Sequence, residues 1–302
     1  MPSTPPSSLV KYCSGPAALT ILDQRTLRWS APHLFGDPFE LHHATPIDVT
    51  APRLLEILLR EALIMLFGPD SPTGRSNKLV NVMARWREEQ RFCDEEEASM
   101  VLRELLGQIA ELQARQVDEY MANWRSYSRT VRIACFAARP DLVRCWQRFA
   151  DNHAGVALRF DCGADTALPL PRQVTYQATA PTITSLREQI DGLLGRGPAP
   201  DSTDFQQKLL RKNRYDHAEQ EWRCFDNDRD DPDSDEASWF SDRSFPAHEL
   251  RAVYFGVRCS EDARAALTQL VRERYPRTLL YQAQPVPGRF ELEFVQLRRH
   301  GG

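Results

Sequence analysis

Between Glu95 and Trp124 the apolar residues fall at 98, 101, 102, 105, 109, 112, 117, 120, 121 and 124. Recurrence at three and four residues is the period of a helix with one buried stripe. At 1.5 Å per residue such a helix is roughly 40 Å long, so it braces a domain or belongs to an inserted helical block. Upstream, "LLEILLREALIMLF" (54–67) is the most apolar run of the chain. It is too short to span a bilayer and carries Glu56, Arg60 and Glu61, which makes it a buried helix. A helical insertion over 52–125 is the expectation.

On either side of that block the pattern turns to β. "LVKYC" reads as a first strand, "AALTILDQ" as a short helix and Leu27 to Trp29 as a second strand, followed by the Pro/Gly loop "APHLFGDPFELHH". The β signal resumes at 130–138. A helix follows over "DLVRCWQRFADN", with Asp141 as its cap and a stop near Gly155. Strands are expected at 155–160 and 173–177, and a helix over 180–195 with Thr184 as N-cap and Gly195 as stop. "DFQQKLLRKNRYDHAE" is expected to be helical. The tail reads β-α-β-β. Because strands and helices are mixed rather than alternating, the fold class is α+β: a mixed, largely antiparallel β core with flanking helices. The 302 residues read as one domain, with the 52–125 insertion and an acidic linker at 226–236. In that linker Asp226, Asp228 and Asp230 have calcium-loop spacing, but Asp231 stands where the loop needs glycine and Ala237 where it needs glutamate. A solvated loop is the expectation.

Net charge is −4, and no basic excess marks a nucleic-acid binder. Lysine occurs only at 11, 78, 208 and 212, so 34 of the 38 basic residues are arginine, and the few lysines are not interchangeable background charge. Seven scattered cysteines without a C-x-x-C pair fit reduced thiols. The Pro/Ser-rich start lacks the basic and apolar regions of a signal peptide. The expectation is a cytoplasmic protein with no membrane partner.

Glycine-rich nucleotide loops, zinc-protease motifs and nucleophile elbows are absent from the sequence, and no metal is predicted. Adjacent His42 and His43 would face opposite ways in a strand. "FGDPFE" (35–40) reads as a turn, or as a loop that brings Asp37 to a pocket. In "RCWQRFADN", Trp146, Phe149 and Ala150 form a core-facing stripe, or a platform on which a ligand stacks. The strongest chemical candidate is "EQEWRCF". Read as a strand, it sets Glu219, Glu221 and Arg223 on one face and Gln220, Trp222 and Cys224 on the other. Paired carboxylates can orient a sugar hydroxyl or stabilise an oxocarbenium ion. The same pattern also describes an exposed face with a Glu–Arg pair of little energetic weight.

"LVKYC", "LRWSAPHLFGDPFE", "RIACFAARPDLVRCWQRFADNHAGVALRFD", "VTYQ", "EQEWRCF" and "LRAVYFGV" occur in that order. Together they resemble the bacterial domain of unknown function 2971 family. The resemblance spans most of the chain apart from the 52–125 helices and the acidic linker. Gly36, Ala137 and Phe149 stand where that family usually has asparagine, serine and tyrosine. More remotely, the layout is similar to ADP-ribosyltransferase-like folds. That resemblance implies NAD as substrate, with Glu221 as the catalytic carboxylate, Glu219 on the acceptor side and Arg223 beside them. It places Lys11 and Tyr12 on NAD; Asp37 in its loop and Trp146 as a stacking platform are the further candidates for cofactor contact from the residues themselves. The usual Ser-Thr-Ser strand is replaced by "ACFAA". The acceptor implied is a protein or nucleic acid, and the family suggests a bacterial defence or toxin role. Two alternatives stand beside it: a non-catalytic binding or regulatory protein on the same scaffold, and a metal-dependent nuclease using Asp37, Glu219 and Glu221.

Overall fold

A computed structural model describes residues 6–69, 77–197, 205–227 and 239–298. The chain divides into two compact units. One comprises residues 1–40, 129–180 and 210–302, the other 41–128 and 181–209. The helical unit is thus wider than the expected 52–125 and takes in a second segment. Most of the acidic linker lies outside the described residues. The α+β class holds: the protein has a mixed, mostly antiparallel sheet with flanking helices.

The first unit is built on strands β1 (Ser8–Cys13), β2 (Thr26–Ser30), β3 (Arg132–Ala137) and β4 (Val156–Asp161). Short β5 (Arg172–Gln173), β6 (Thr175–Gln177) and β7 (Arg211–Asn213) follow, then β8 (Glu221–Asp226), β9 (Phe240–Ser244), β10 (Leu250–Phe255), β11 (Leu279–Pro285) and β12 (Leu292–Gln296). The main sheet runs β12-β11-β10-β4-β1-β3-β2-β9, with β8 on β3 and β5 on β8, while β6 and β7 form a separate pair. Helices α1 (Gly15–Gln24) and α8 (Glu261–Arg274) belong to this unit, as does α5 (Val143–Phe149).

Both faces of the central strands are buried, which explains why "LVKYC" reads as a nearly continuous apolar run. From β1, Leu9 and Cys13 enter one apolar cluster, with Leu22 of α1 and Leu267 and Val271 of α8. Val10 and Tyr12 enter the other, with Cys145 and Trp146 of α5. A register shift between Leu250 and Ala252 in β10 changes the alternation, so that Leu250, Val253 and Phe255 all reach the first cluster.

The helical unit holds α2 (Ala51–Phe67), α3 (Lys78–Glu88), most of α4 (Glu95–Thr130), α6 (Leu186–Leu193) and α7 (Phe205–Lys208). Helix α4 has 36 residues and is therefore about 54 Å long. Its buried stripe is Ala98, Leu102, Leu106, Ala110, Val117, Met121 and Trp124, whereas Val101, Leu105 and Leu112 are exposed. The apolar positions outnumber what one face can bury, and the i,i+4 ridge from Ala98 is the one that packs. Among the described residues no helix is long and apolar enough to cross a membrane.

Several local expectations change. The cap of α5 is Leu142, without a side-chain bond, because Asp141 instead pairs with Arg139 at 3.1 Å. Helix α6 starts from Ser185, not Thr184: Ser185 and Glu188 form a reciprocal capping box, and the Thr184 hydroxyl accepts from Gln189. Gly195 follows the helix with φ 67°, as a C-terminal stop requires. The stretch 205–219 is helical only over α7. After it come β7 and a 3-10 turn from Arg214 to Glu219, because pairing of β7 with β6 outweighs the local helical pattern.

Candidate active site

The site lies where the sheet divides. One edge of β3 pairs with β8 over its whole length. The other edge meets β1 only at Val10–Ala137 and β2 only at Ser30–Ile133. Between those two points the ladder is open, and the Lys11 ammonium donates to the carbonyl of Cys135 at 3.0 Å. A side chain thus satisfies a strand carbonyl that lacks a ladder partner, as buried backbone requires.

A cleft of about 310 Å³ opens over this division, within the size range of small-ligand sites. Its floor is the alternate-residue face of two paired strands: Ile133, Cys135 and Ala137 from β3, with Glu221 and Arg223 from β8. Trp222 and Cys224, on the opposite face of β8, are buried in the apolar cluster. The walls come from β1, α5, β7 and the "FGDPFE" loop.

Of the two readings of "EQEWRCF", the exposed face with a Glu–Arg pair does not hold. Glu219, Glu221 and Arg223 are 2%, 6% and 1% exposed. Nor is Glu219 a strand residue. It ends the 3-10 turn, and Gln220 takes a left-handed conformation, φ 45°, before β8 begins. That bend brings both carboxylates onto one cation. Lys212 donates to Glu219 Oε2 at 2.7 Å and to Glu221 Oε2 at 2.9 Å.

The pairing continues in both directions. Arg223 Nε donates to Glu221 Oε1 at 2.7 Å, and the rest of its guanidinium forms a two-bond clamp on Glu40, one bond of 3.0 Å. Phe35 covers the same guanidinium, 5.2 Å from ring centre to Cζ. At the other end Arg148 donates to Glu219 Oε1 at 2.7 Å and to Asp216 at 3.0 Å. The result is a ladder of alternating sign: Arg148, Glu219, Lys212, Glu221, Arg223, Glu40. Tyr176 completes it by accepting the backbone N–H of Glu221 at 2.8 Å.

Burial alone would push the Glu221 carboxyl up, but Arg223 and Lys212 outweigh it and hold the group down at about 2. Burial likewise works against charge on Lys212 and Arg223, yet their carboxylate partners keep both above their ordinary values. In this site Glu221, Lys212 and Arg223 are charged at neutral pH. Its thiols are not: burial, then Glu219, pushes Cys145 up to about 12, and burial, then Glu221, pushes Cys135 up as well. Neither supplies a thiolate nucleophile.

Of the residues singled out from sequence, Lys11, Tyr12, Asp37, Glu219, Glu221 and Arg223 line this one cleft. Tyr12 offers only its ring, because its hydroxyl donates to Arg139 O at 2.7 Å and accepts from Leu142 N–H at 3.3 Å. Trp146 is absent from the lining. It is fully buried, edge-on to Tyr12 at 5.3 Å, with its indole N–H on Pro140 O. It therefore supports the cleft wall and is not positioned to stack on a ligand. Asp37 caps its own turn through Phe39 N–H at 3.0 Å. Among the described residues no group of three His, Cys, Asp or Glu side chains is placed to hold a metal ion. The carboxylate oxygens of Glu219 and Glu221 are bonded to Lys212, Arg148 and Arg223 instead.

Lys212, Arg148, Glu40 and Tyr176 are the residues that sequence reasoning missed. Lys212 had a signal as one of four lysines in an arginine-rich chain, but a helical reading of 205–219 gave its side chain no direction. Glu40 sits in the "FGDPFE" motif, where Asp37 beside the proline is the more conspicuous carboxylate. Ser30 supplies a hydroxyl at the cleft that "ACFAA" lacks.

Comparison of the chain with models of known families, with curated proteins and with solved structures gives no match. The resemblance noted above therefore stands on the order of its motifs alone.

Proposed function

We propose that the cleft binds NAD and transfers its ADP-ribose part to a nucleophilic acceptor. One observation carries this reading: a buried carboxylate that is ionised, Glu221, shares a cleft with Lys11, although the two come from distant parts of the chain. Glu221 accepts from Arg223 at Oε1 and from Lys212 at Oε2, and a carboxylate offers about four acceptor sites. A ribose hydroxyl can donate to it.

In the reaction the bond from ribose C1′ to the nicotinamide nitrogen breaks, and nicotinamide leaves neutral with the bonding pair. Positive charge builds on the sugar, and a fixed carboxylate close by stabilises it. The acceptor's lone pair then forms the new bond to C1′, and its proton passes to solvent. Lys11, with two donors left beyond Cys135 O, supplies positive charge for the pyrophosphate. Glu219 orients the acceptor. The seven free cysteines fit a reducing cytoplasm as the setting.

A second reading is a non-catalytic binding protein. It is favoured by the full set of cation partners around Glu221, which offsets part of its negative field. One measurement separates them: nicotinamide release from labelled NAD, wild type against Glu221→Gln, over protein and nucleic-acid acceptors. Transfer chemistry predicts a loss on the order of 100-fold or more in the variant. Equal release from both proteins would discard it.

A further inference from the structure

We infer that Lys212 is the positioning residue of the site, the group that allows two buried glutamates to face one cleft side by side. The inference rests on the proposed transfer reaction only for its kinetic arm.

Glu219 and Glu221 both direct a carboxylate oxygen to the same ammonium, at 2.7 and 2.9 Å, and all three side chains are buried. Two carboxylates that close in a dry site cannot both ionise unaided, and one keeps a proton. Lys212 pairs with Glu219 and Glu221, with Tyr176 of β6 and Cys145 of α5 beside it, while Arg148 of α5 and Arg223 of β8 hold the other oxygens of the two glutamates. Arg223 serves Glu221 and Glu40, and Arg148 serves Glu219 and Asp216. Each of these pairings joins one of the two glutamates to a group outside the pair, whereas Lys212 bonds both, and its neutral neighbours Tyr176 and Cys145 cannot take its place.

The position also has a local cause. Lys212 is the middle residue of β7, fixed by its register with Tyr176 of β6. The 3-10 turn returns the chain within seven residues to Glu219 and within nine to Glu221. Lysine suits this place better than arginine because it is a compact charge whose separate donors can diverge to two oxygens.

The test is a pH titration of the carboxyl C=O stretch by isotope-edited infrared spectroscopy, on full-length wild type, Lys212→Met, Lys212→Arg and the double variant Lys212→Met/Glu219→Gln. In Lys212→Met one carboxyl of the pair should take up a proton about 1–3 pH units above the wild-type midpoint. Nicotinamide release, where present, should fall on the order of 100-fold, with its acid limb moved up by the same interval. Lys212→Arg should restore ionisation and part of the rate. The double variant should return Glu221 to an ionised state, because it keeps its bond from Arg223 and no longer has the Glu219 carboxylate beside it.

A Lys212→Met protein that titrates like wild type would overturn the inference. If Lys212→Met does not fold, the double variant decides. Its folding supports the role, and its failure alongside the single variant shows that lysine is needed for something other than the two charges. A wild type that titrates as described but releases no nicotinamide would remove the transfer reading and leave the positioning role intact.

Discussion

The two faces of β8 bury side chains to the same degree by opposite means. On one face Trp222 and Cys224 enter an apolar cluster with Leu9, Phe136 and Phe160. On the other, Glu221 and Arg223 are as buried, but among Lys212, Glu219 and Glu40. The apolar face gains from leaving water and tolerates any well-shaped neighbour. The ionic face must recover a desolvation cost of several kcal/mol per ion, and does so only if every charge keeps its partner. A protein built for stability alone gains little from the second arrangement, which makes this side of the sheet the candidate functional one.

That contrast can be broken experimentally. Arg223→Met should have the largest effect, about 3–5 kcal/mol of lost stability in denaturant unfolding, because Glu221 and Glu40 lose their shared cation. Adding Glu40→Gln to it should recover part of the loss. A cost under about 1 kcal/mol for Arg223→Met would mean that the ladder is solvated in solution.

Acid should act on the same face. The folded Glu221 is held at about 2, below its unfolded value, so its contribution is present at neutral pH. It is lost as pH falls from about 4.5 towards 2. Lys212 has the opposite sign: its folded value lies above the unfolded one, so its contribution persists at neutral pH and disappears only in strong alkali. Unfolding curves across pH should show an acid-sensitive loss in wild type that is reduced in Glu221→Gln.

On the apolar face Cys224→Ser should cost about 1–3 kcal/mol, since a hydroxyl enters a site with no hydrogen-bond partner. The loss should show little change with pH. Smallest of all, Arg251→Ala should stay within about 1 kcal/mol by thermal unfolding. Its pair with Asp161 lies at 2.7 Å, but the Arg251 side chain is 57% exposed, and water and salt screen it. Added salt should weaken that pair and leave the buried ladder almost unchanged.

The sequence by itself determined the element types that local pattern dictates. The strand "LVKYC", the long α4, α5 with Trp146 and Ala150 buried, and the β-α-β-β tail are where periodicity put them, whereas Phe149 of the same expected stripe is exposed and lines the cleft. It also marked Glu219, Glu221 and Arg223 as unusual, because charges around a tryptophan contradict strand propensity. What it could not decide was which way those charges face. Alternation by two is the same for an exposed and a buried polar face. The answer depended on Lys212 and Glu40, brought in from other segments by pairing of β7 with β6 and by the loop after β2. Only the tertiary structure could settle that, because a buried charge is stable only with partners whose positions are set by non-local pairing.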